Sequence, residues 1–365
     1  MTIAVKILLV SNMYPSRKYP HYGVFVQNTE KVLSEMPGVR VNKAVLTKCD
    51  GKLQKLLGYL KFYCGTVFGG IFGRYDVIYG HFVSHIAMPL LVVKALNRRV
   101  KLVLNAHGND VVADHEKDDK WVRLSRKILP KADHVIVPSD YFKTVLCENF
   151  AVAEDKILVY PSGGIDREVF CRKAVQDTYG LDPDKKYIGY ISRIEKNKGW
   201  DTFLEMAAAL GNRADVGFVV VGDGAERAEF DEMANRLGVA DRLVRFPLLH
   251  QSQIAELYNL LEVFCFPTRR ASESLGLVGL EALACGCTVV ASDAGGPSSY
   301  MRNGENGFVF RQNSAEELTA QVTRALSLSA QEKEVLQQGM ASTAEAYSKQ
   351  AVDRILTEFF TELKP

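Results

Sequence analysis

A chain of 365 residues with 47% hydrophobic content exceeds the length over which one core keeps growing, so two domains of roughly 150 to 200 residues are expected. Its net charge of only +2 gives the whole molecule no strong attraction to nucleic acid, and any basic patch must be local. Seven cysteines, odd in number, scattered and without C-x-x-C spacing, argue against a zinc or redox site and fit a reducing cytoplasm.

In chain order, the opening "MTIAVKILLVSN" reads as a strand, too short and too soon interrupted by Lys6 for a secretory signal. The loop after it ends at Gly23, just before a helix, where backbone amides can approach an anionic group; a plain strand-to-helix connection explains this glycine as well. The segment "GKLQKLLGYLKFYCGTVFGGIFGRY" is apolar and aromatic, with Lys52, Lys55, Lys61 and Arg74 along it, and "DDKWVRLSRKILPK" adds Trp121 and further cations. Such segments lie on anionic membrane surfaces, or are core-facing helices with solvated lysines. Nowhere do 18 uncharged apolar residues run together as a membrane span would.

Strands are expected in "RYDVIYGHF", "VKLVLNAHG", "ADHVIVPS" and "KILVYPSGG". The third of these five first-half strands reaches His107-Gly108-Asn109-Asp110, so an imidazole stands at a sheet's carboxyl edge, either to hydrogen-bond a sugar or as a buried, satisfied side chain. A break falls near Pro161 to Asp166, dividing a first domain, 1–165, from a second, 166–344, with a helix over about 345–365 returning to the first. The second half repeats the alternation with "KYIGYISR", "VGFVVVGDG", "RLVRFPLL", "LEVFCFPT", "CTVVASD" and "NGFVF". Continuous β-branched runs alternating with helices imply strands buried on both faces of parallel sheets. The expected fold class is therefore α/β, with two Rossmann-like sheets and a ligand in the cleft between them.

After "YIGYIS" the loop carries Arg193 and Lys198, two cations suited to a departing diphosphate, before Gly199 and a helix from Trp200. A solvated basic loop is the plainer account, and Lys196 fits it. Gly222-Asp223-Gly224 resembles half a dinucleotide fingerprint, but Arg227 holds the third glycine position, so a tight turn explains it and a dehydrogenase is disfavoured. In "SESLGLVGLEALACG", Glu273 stands just before a helix expected from about Leu275 to Ala284, and Glu281 lies about two turns inside it. If the run between them is helical their backbones are about 12 Å apart, wider than most glycosidase carboxyl pairs. The helix N-terminus between them suits a phosphate, which leaves each carboxylate to flanking hydroxyls, the layout of a nucleotide sugar. The alternative is a helix-terminal charge and an exposed helical glutamate.

Together, "YISRIEKNKG", "VVVGDG", "EALACGCTVVASDAGG" and "NGENGFVF" resemble the retaining nucleotide-sugar glycosyltransferases of family 4, which have the GT-B fold of two Rossmann-like domains facing a deep cleft. The resemblance implies that Glu281 holds the ribose and that Glu273 contacts the donor sugar near the reacting carbon. It assigns the diphosphate to Arg193 and Lys198, helped by the amides of Ser274, Leu275, Gly276 and Leu277, with Gly222 nearby. From the first domain, His107 would contact the donor sugar and Gly23 would line the diphosphate, while Asp110 matches a position of less uniform role. Two departures stand out: "HYGVF" has one glycine where the family often has two, and Ser299 follows Gly295-Gly296 where a glutamate is common.

The resemblance also implies chemistry without a metal or cofactor, the nucleoside diphosphate sugar being a co-substrate. The lone D-x-D, Asp182-Pro183-Asp184, precedes a strand rather than following one. The expected enzyme is a cytoplasmic, peripherally membrane-bound hexosyltransferase using a UDP-sugar, or else a GDP-sugar, on a glycan or lipid-linked acceptor of bacterial envelope polysaccharide or lipopolysaccharide. A nucleotide-sugar epimerase and a catalytically silent sugar-nucleotide-binding protein are the alternatives.

Overall fold

In the computed structural model, which describes residues 5–211 and 213–363, parallel pairing joins the strands into two six-stranded sheets. The chain divides into two units: one runs through Gly163 and resumes at Val352, and the other is Gly164–Ala351.

The first unit holds β1 (Val5–Tyr14), α1 (Val24–Glu35), β2 (Val39–Thr47), α2 (Lys52–Phe72), β3 (Val77–His81), α3 (Val83–Leu96) and β4 (Lys101–Asn105). These are followed by α4 (Asp119–Ile128), β5 (His134–Val137), α5 (Asp140–Phe150) and β6 (Ile157–Val159), and the strand order is β2-β1-β3-β4-β5-β6. Side chains alternate across the sheet, so it feeds two cores. Leu8, Ile78 and Leu102 face a layer with α2 and α3, whereas Ile7, Tyr79 and Val103 face the other. That second layer is completed by α12 (Lys349–Glu362), whose Val352, Leu356 and Phe360 recur every four residues and are fully buried.

The second unit contains β7 (Lys186–Ile191), α6 (Trp200–Ala209), β8 (Val216–Val221), α7 (Arg227–Arg236), β9 (Leu243–Phe246) and α8 (Gln251–Leu260). It continues through β10 (Val263–Phe266), α9 (Leu277–Ala284), β11 (Thr288–Ser292), β12 (Phe308–Phe310), α10 (Ala315–Leu326) and α11 (Ala330–Ala346), with strand order β12-β11-β10-β7-β8-β9. The chain leaves β7 to one side and returns to its other side with β10. Between those two strands lies the switch point where loops diverge and ligands collect in open α/β sheets.

Two boundaries differ from the sequence reading. A strand not anticipated, β2, forms at the edge of the first sheet: Arg40, Asn42 and Lys43 are exposed and only Leu46 is buried, so it lacks the continuous apolar run of an interior strand. The C-terminal segment joins the first unit from Val352 rather than from about residue 345, because Ile165 is bonded to both sides of the preceding turn, its N–H to Tyr347 O and its carbonyl from Lys349 N, each 2.9 Å. Residues 364 and 365 of the expected helix lie outside the described residues.

Candidate functional site

Glycines bring four loops together at the carboxyl end of the second sheet. A Cβ on Gly199 (φ +74°) would sit 1.9 Å from Pro267 O, and one on Gly222 (φ +134°) 2.0 Å from Ser192 O. Gly296 is packed as tightly against Ser274 O, at 2.2 Å. Only a residue without a side chain permits such approaches, so the loops after β7, β8, β10 and β11 share one platform. Tyr190 O–H donates to Arg193 O at 3.1 Å from below, and Arg269 N–H donates to Asn197 O at 2.8 Å. The Arg269 guanidinium also reaches Asp201 (2.5 Å) and Thr202 (2.7 Å), fixing the loop after β10 to the start of α6.

Lys198 and Glu273 meet across the switch point. Lys198 Nζ lies 2.5 Å from Glu273 Oε2, with both side chains largely buried, and Thr268 Oγ1 donates to the same oxygen at 3.3 Å. Burial lowers the Lys198 ammonium's pKa, the Glu273 carboxylate opposes the shift, and the nearby charges of Arg270 and Arg193 add to it. Arg193 is far more open, 60% exposed, and pairs with Glu195 at 2.6 Å. The expectation had given Lys198 and Glu273 separate parts of a ligand; the structure pairs them with each other.

Helix α9 begins at Leu277, two residues later than anticipated, because Gly276 adopts φ +75° as its N-cap. The 12 Å helical spacing therefore does not apply to Glu273 and Glu281, since residues 273–276 are not helical, and Glu281 falls in the second turn. The N–H groups of Leu275, Gly276 and Leu277 have no hydrogen-bond partner among the described residues; that of Leu277 is one that a helix's first turn leaves open, and the other two lie in the approach to it. Glu281 keeps a partial opening to solvent, yet the protein around its carboxyl is close enough that burial pushes the pKa up to about 7. No hydrogen bond or ion pair relieves it among the described residues. Tyr300, whose hydroxyl donates to Gly276 O at 2.9 Å, feels the charges of both Glu273 and Glu281. The glycines of "GDG" are accounted for by packing: Gly224, like Gly222, has backbone of the β7 loop where a Cβ would be.

In the first unit the carboxyl ends of β1, β3 and β4 bring Gly23 and His107 together. Gly23 (φ +77°) starts α1 with Met13 O 2.7 Å from its missing Cβ, and Phe25, one residue into the helix, packs on the His107 ring at 4.5 Å. His81, which the sequence reading passed over, is fully buried at the end of β3, and its Nδ1 lies 3.1 Å from His107 Nε2. Burial lowers both imidazole pKa values, that of His107 to about 3, so both are neutral. Among the described residues His81 Nε2 is buried with no partner. An orphaned N–H is rarer than an orphaned lone pair, so we assign the lone pair to Nε2 and the donated proton to Nδ1. His107 must then accept at Nε2 and bear its own proton on Nδ1. Asp110 is wholly buried and accepts from the N–H groups of His107, Gly108 and Val83, all at 2.9 Å. It clamps the β4 loop to the start of α3 and, being wholly buried, presents no oxygen at the surface.

The second unit sets cations, carboxyls and amides without a partner among the described residues at the switch point of a Rossmann-like sheet, where ligands collect in open α/β folds, and the first unit carries neutral imidazoles at its own strand ends. Residues 172–341 match the family model of group 1 glycosyl transferases, and residues 52–168 match that of glycosyltransferase family 4. A D-inositol 3-phosphate glycosyltransferase of Actinosynnema mirum is 30% identical over 299 residues, 75% of this chain and 70% of that protein. One from Segniliparus rotundus is 25% identical over 90% of this chain and 77% of its own length. The chain thus belongs to the group 1, family 4 glycosyltransferases. It spans 66% of the length of the Geodermatophilus obscurus relative and 63% of the Nocardiopsis dassonvillei one. Solved structures place the fold as GT-B: sucrose-phosphate synthase of Thermosynechococcus elongatus has a TM-score of 0.79 at 18% identity, covering 98% of this chain and 99% of its own. Anabaena HepE, solved in complex with UDP-glucose, has 0.75 at 19%, with the same coverages.

Proposed function

We propose that the protein is a retaining hexosyltransferase that moves a sugar from a nucleoside diphosphate donor, a UDP-sugar in preference to a GDP-sugar, to a hydroxyl of a glycan or lipid-linked acceptor. The observation that carries this reading is the second unit's switch point, where three unpaired amides at the start of α9 stand with Lys198, Glu273 and Glu281 in a chain of the glycosyltransferase family. HepE, of the same fold, binds UDP-glucose, which supports the donor class.

In the proposed reaction the C1–O bond to the diphosphate breaks and a C1–O bond to the acceptor forms on the same face. The acceptor's proton passes to a diphosphate oxygen, so no side chain acts as nucleophile. Negative charge grows on the departing diphosphate. Arg193, Lys198 and the amides of Leu275 to Leu277 are set to receive it without a metal ion. Releasing Lys198 to the diphosphate frees Glu273 for a sugar hydroxyl, and Glu281 accepts from the ribose. For the first unit we assign acceptor recognition, and to its neutral His107 a contact in which Nδ1–H is offered to a hydroxyl of the donor sugar.

Thermal shift against a panel of UDP-, GDP- and ADP-sugars tests the donor class, since ligand at a hundred times its Kd stabilises by about 2.7 kcal/mol. No response to any nucleotide sugar would sink the reading. Conversion of a donor to its epimer without acceptor would make the protein an epimerase instead.

A further inference from the structure

Among the described residues eleven large hydrophobic side chains are exposed, and nine of them lie on two helices of the first unit. On α2 these are Leu53, Leu56, Leu57, Leu60, Phe68 and Phe72, 56–70% exposed, while Phe62, Thr66 and Gly70 on the other side are buried. On α3, Met88, Val92 and Leu96 recur every four residues and are 44–68% exposed. The helices touch: Asn97 Nδ2 donates to Gly70 O at 2.9 Å and Tyr63 O–H to His85 O at 3.0 Å. Both cover the sheet face lined by Leu8, Ile78 and Leu102, so their outward sides look the same way. The stripe on α2 is about 28 Å long at 1.5 Å per residue.

The charge on this surface has one sign. Residues 51–75 and 77–100 contain no aspartate or glutamate. Lys94 is taken up by Asp133 at 2.6 Å, but Lys52, Lys55, Lys61, Arg74, Arg98 and Arg99 pair with no carboxylate among the described residues. No described helix is long and apolar enough to cross a membrane, so this surface would lie on one. A second copy is a poor occupant, because a twofold interface sets the same patch against itself and would oppose cations to cations with no acid between them.

We propose that α2 and α3 together form a docking face for an anionic lipid bilayer, their leucines and phenylalanines entering the interface while the flanking lysines and arginines meet lipid phosphates. This deepens the proposed acceptor class and rests on that reading for its functional sense, not for the binding itself.

Full-chain protein is sedimented with vesicles of phosphatidylcholine alone and of phosphatidylcholine with phosphatidylglycerol, at low and raised salt. The expected result is binding to the anionic vesicles, weakened by salt. A Leu56→Glu/Leu60→Glu/Phe68→Glu variant should lose at least about tenfold in partitioning. Each of Lys52→Gln, Lys55→Gln and Lys61→Gln should cost up to about fivefold. Leu248→Glu and Val335→Glu, also at exposed positions but in the second unit, should change nothing. Wild-type protein left in the supernatant with anionic vesicles, or bound equally to neutral ones, overturns the proposal. So does a dimer in sedimentation equilibrium that the triple variant dissolves. Melting of the triple variant with and without UDP-glucose separates the two readings: an unchanged donor response with lost vesicle binding assigns the effect to docking, and vesicle binding by a wild type blind to every donor leaves docking standing while the transferase reading falls.

Discussion

At the carboxyl end of the second sheet, glycines press four loops together around an ammonium, a guanidinium, two carboxyls and three unpaired amides. At the same end of the first sheet the candidates are uncharged: a neutral His107 with the neutral, fully buried His81 behind it, while the carboxylate of Asp110 is wholly buried and held by three backbone N–H groups. Both sheets are parallel and six-stranded, and in both the loops that lead into helices leave from the carboxyl ends of strands. Fold alone therefore does not separate their tasks; the side chains placed at the strand ends do. A charged end suits a leaving diphosphate, and a neutral end suits hydroxyls.

The largest effects should come from dismantling the charged end, and its two cations should fail differently. Lys198→Ala strands Glu273 in a largely buried position, which typically costs about 3–5 kcal/mol of stability. Arg193→Ala removes an open side chain whose pair with Glu195 is worth at most about 1 kcal/mol. Both should lower turnover by about a hundred- to a thousandfold, the usual loss for one preorganised donor at a developing anion. Urea unfolding beside initial rates tells them apart. Wild-type turnover in Arg193→Ala would remove that residue from the diphosphate, and an unshifted unfolding midpoint in Lys198→Ala would mean that the pair with Glu273 does not form in solution.

Next in size is the pH dependence that Glu281 builds into the second unit. Its folded pKa of about 7 lies above the unfolded carboxyl's, about 4.3, so the folded chain binds this proton more tightly. The sign follows: the stabilising contribution is complete below about pH 4.3 and is lost as pH rises through 7, a fall of up to about 4 kcal/mol. Glu281→Gln should flatten that slope and make the free protein more stable than wild type at pH 8, while weakening donor binding if the ribose role is right. A wild-type slope retained in the glutamine variant would assign the titration to another group.

The interior strands were legible because burial on both faces leaves continuous runs such as "VGFVVV", whereas β2 escaped notice because an edge strand shows Arg40 and Lys43 to solvent. Gly276 hid the true start of α9, since periodicity does not reveal which residue turns left-handed. The residues of the charged end were legible one by one, but not their pairing. Lys198 and Glu273 are 75 positions apart and meet only because β10 returns beside β7, a register no local pattern encodes. His81 was within reach: it stands at a strand's carboxyl end as His107 does, and the rule that selected one imidazole would have selected both.

His81 supplies the finest test of the neutral end, because it is a positioning residue that acts through His107. Its Nδ1–H fixes His107 as the Nδ1–H tautomer. His81→Phe keeps a flat, buried ring but removes that donor, freeing His107 to move its proton to Nε2. Losses for such orienting partners run to about tenfold or more, and here about tenfold in turnover is expected. His81→Asn should restore most of it, because an asparagine amide nitrogen lies near where the histidine Nδ1 was and can donate to the same lone pair. A merely structural role would move stability in both variants without touching the tautomer, so the deciding measurement is the imidazole nitrogen NMR spectrum of His107: an Nδ1–H signal lost in His81→Phe and regained in His81→Asn, in step with turnover, fits the assignment. A His107 spectrum identical in all three proteins would show that its proton is held by something other than His81.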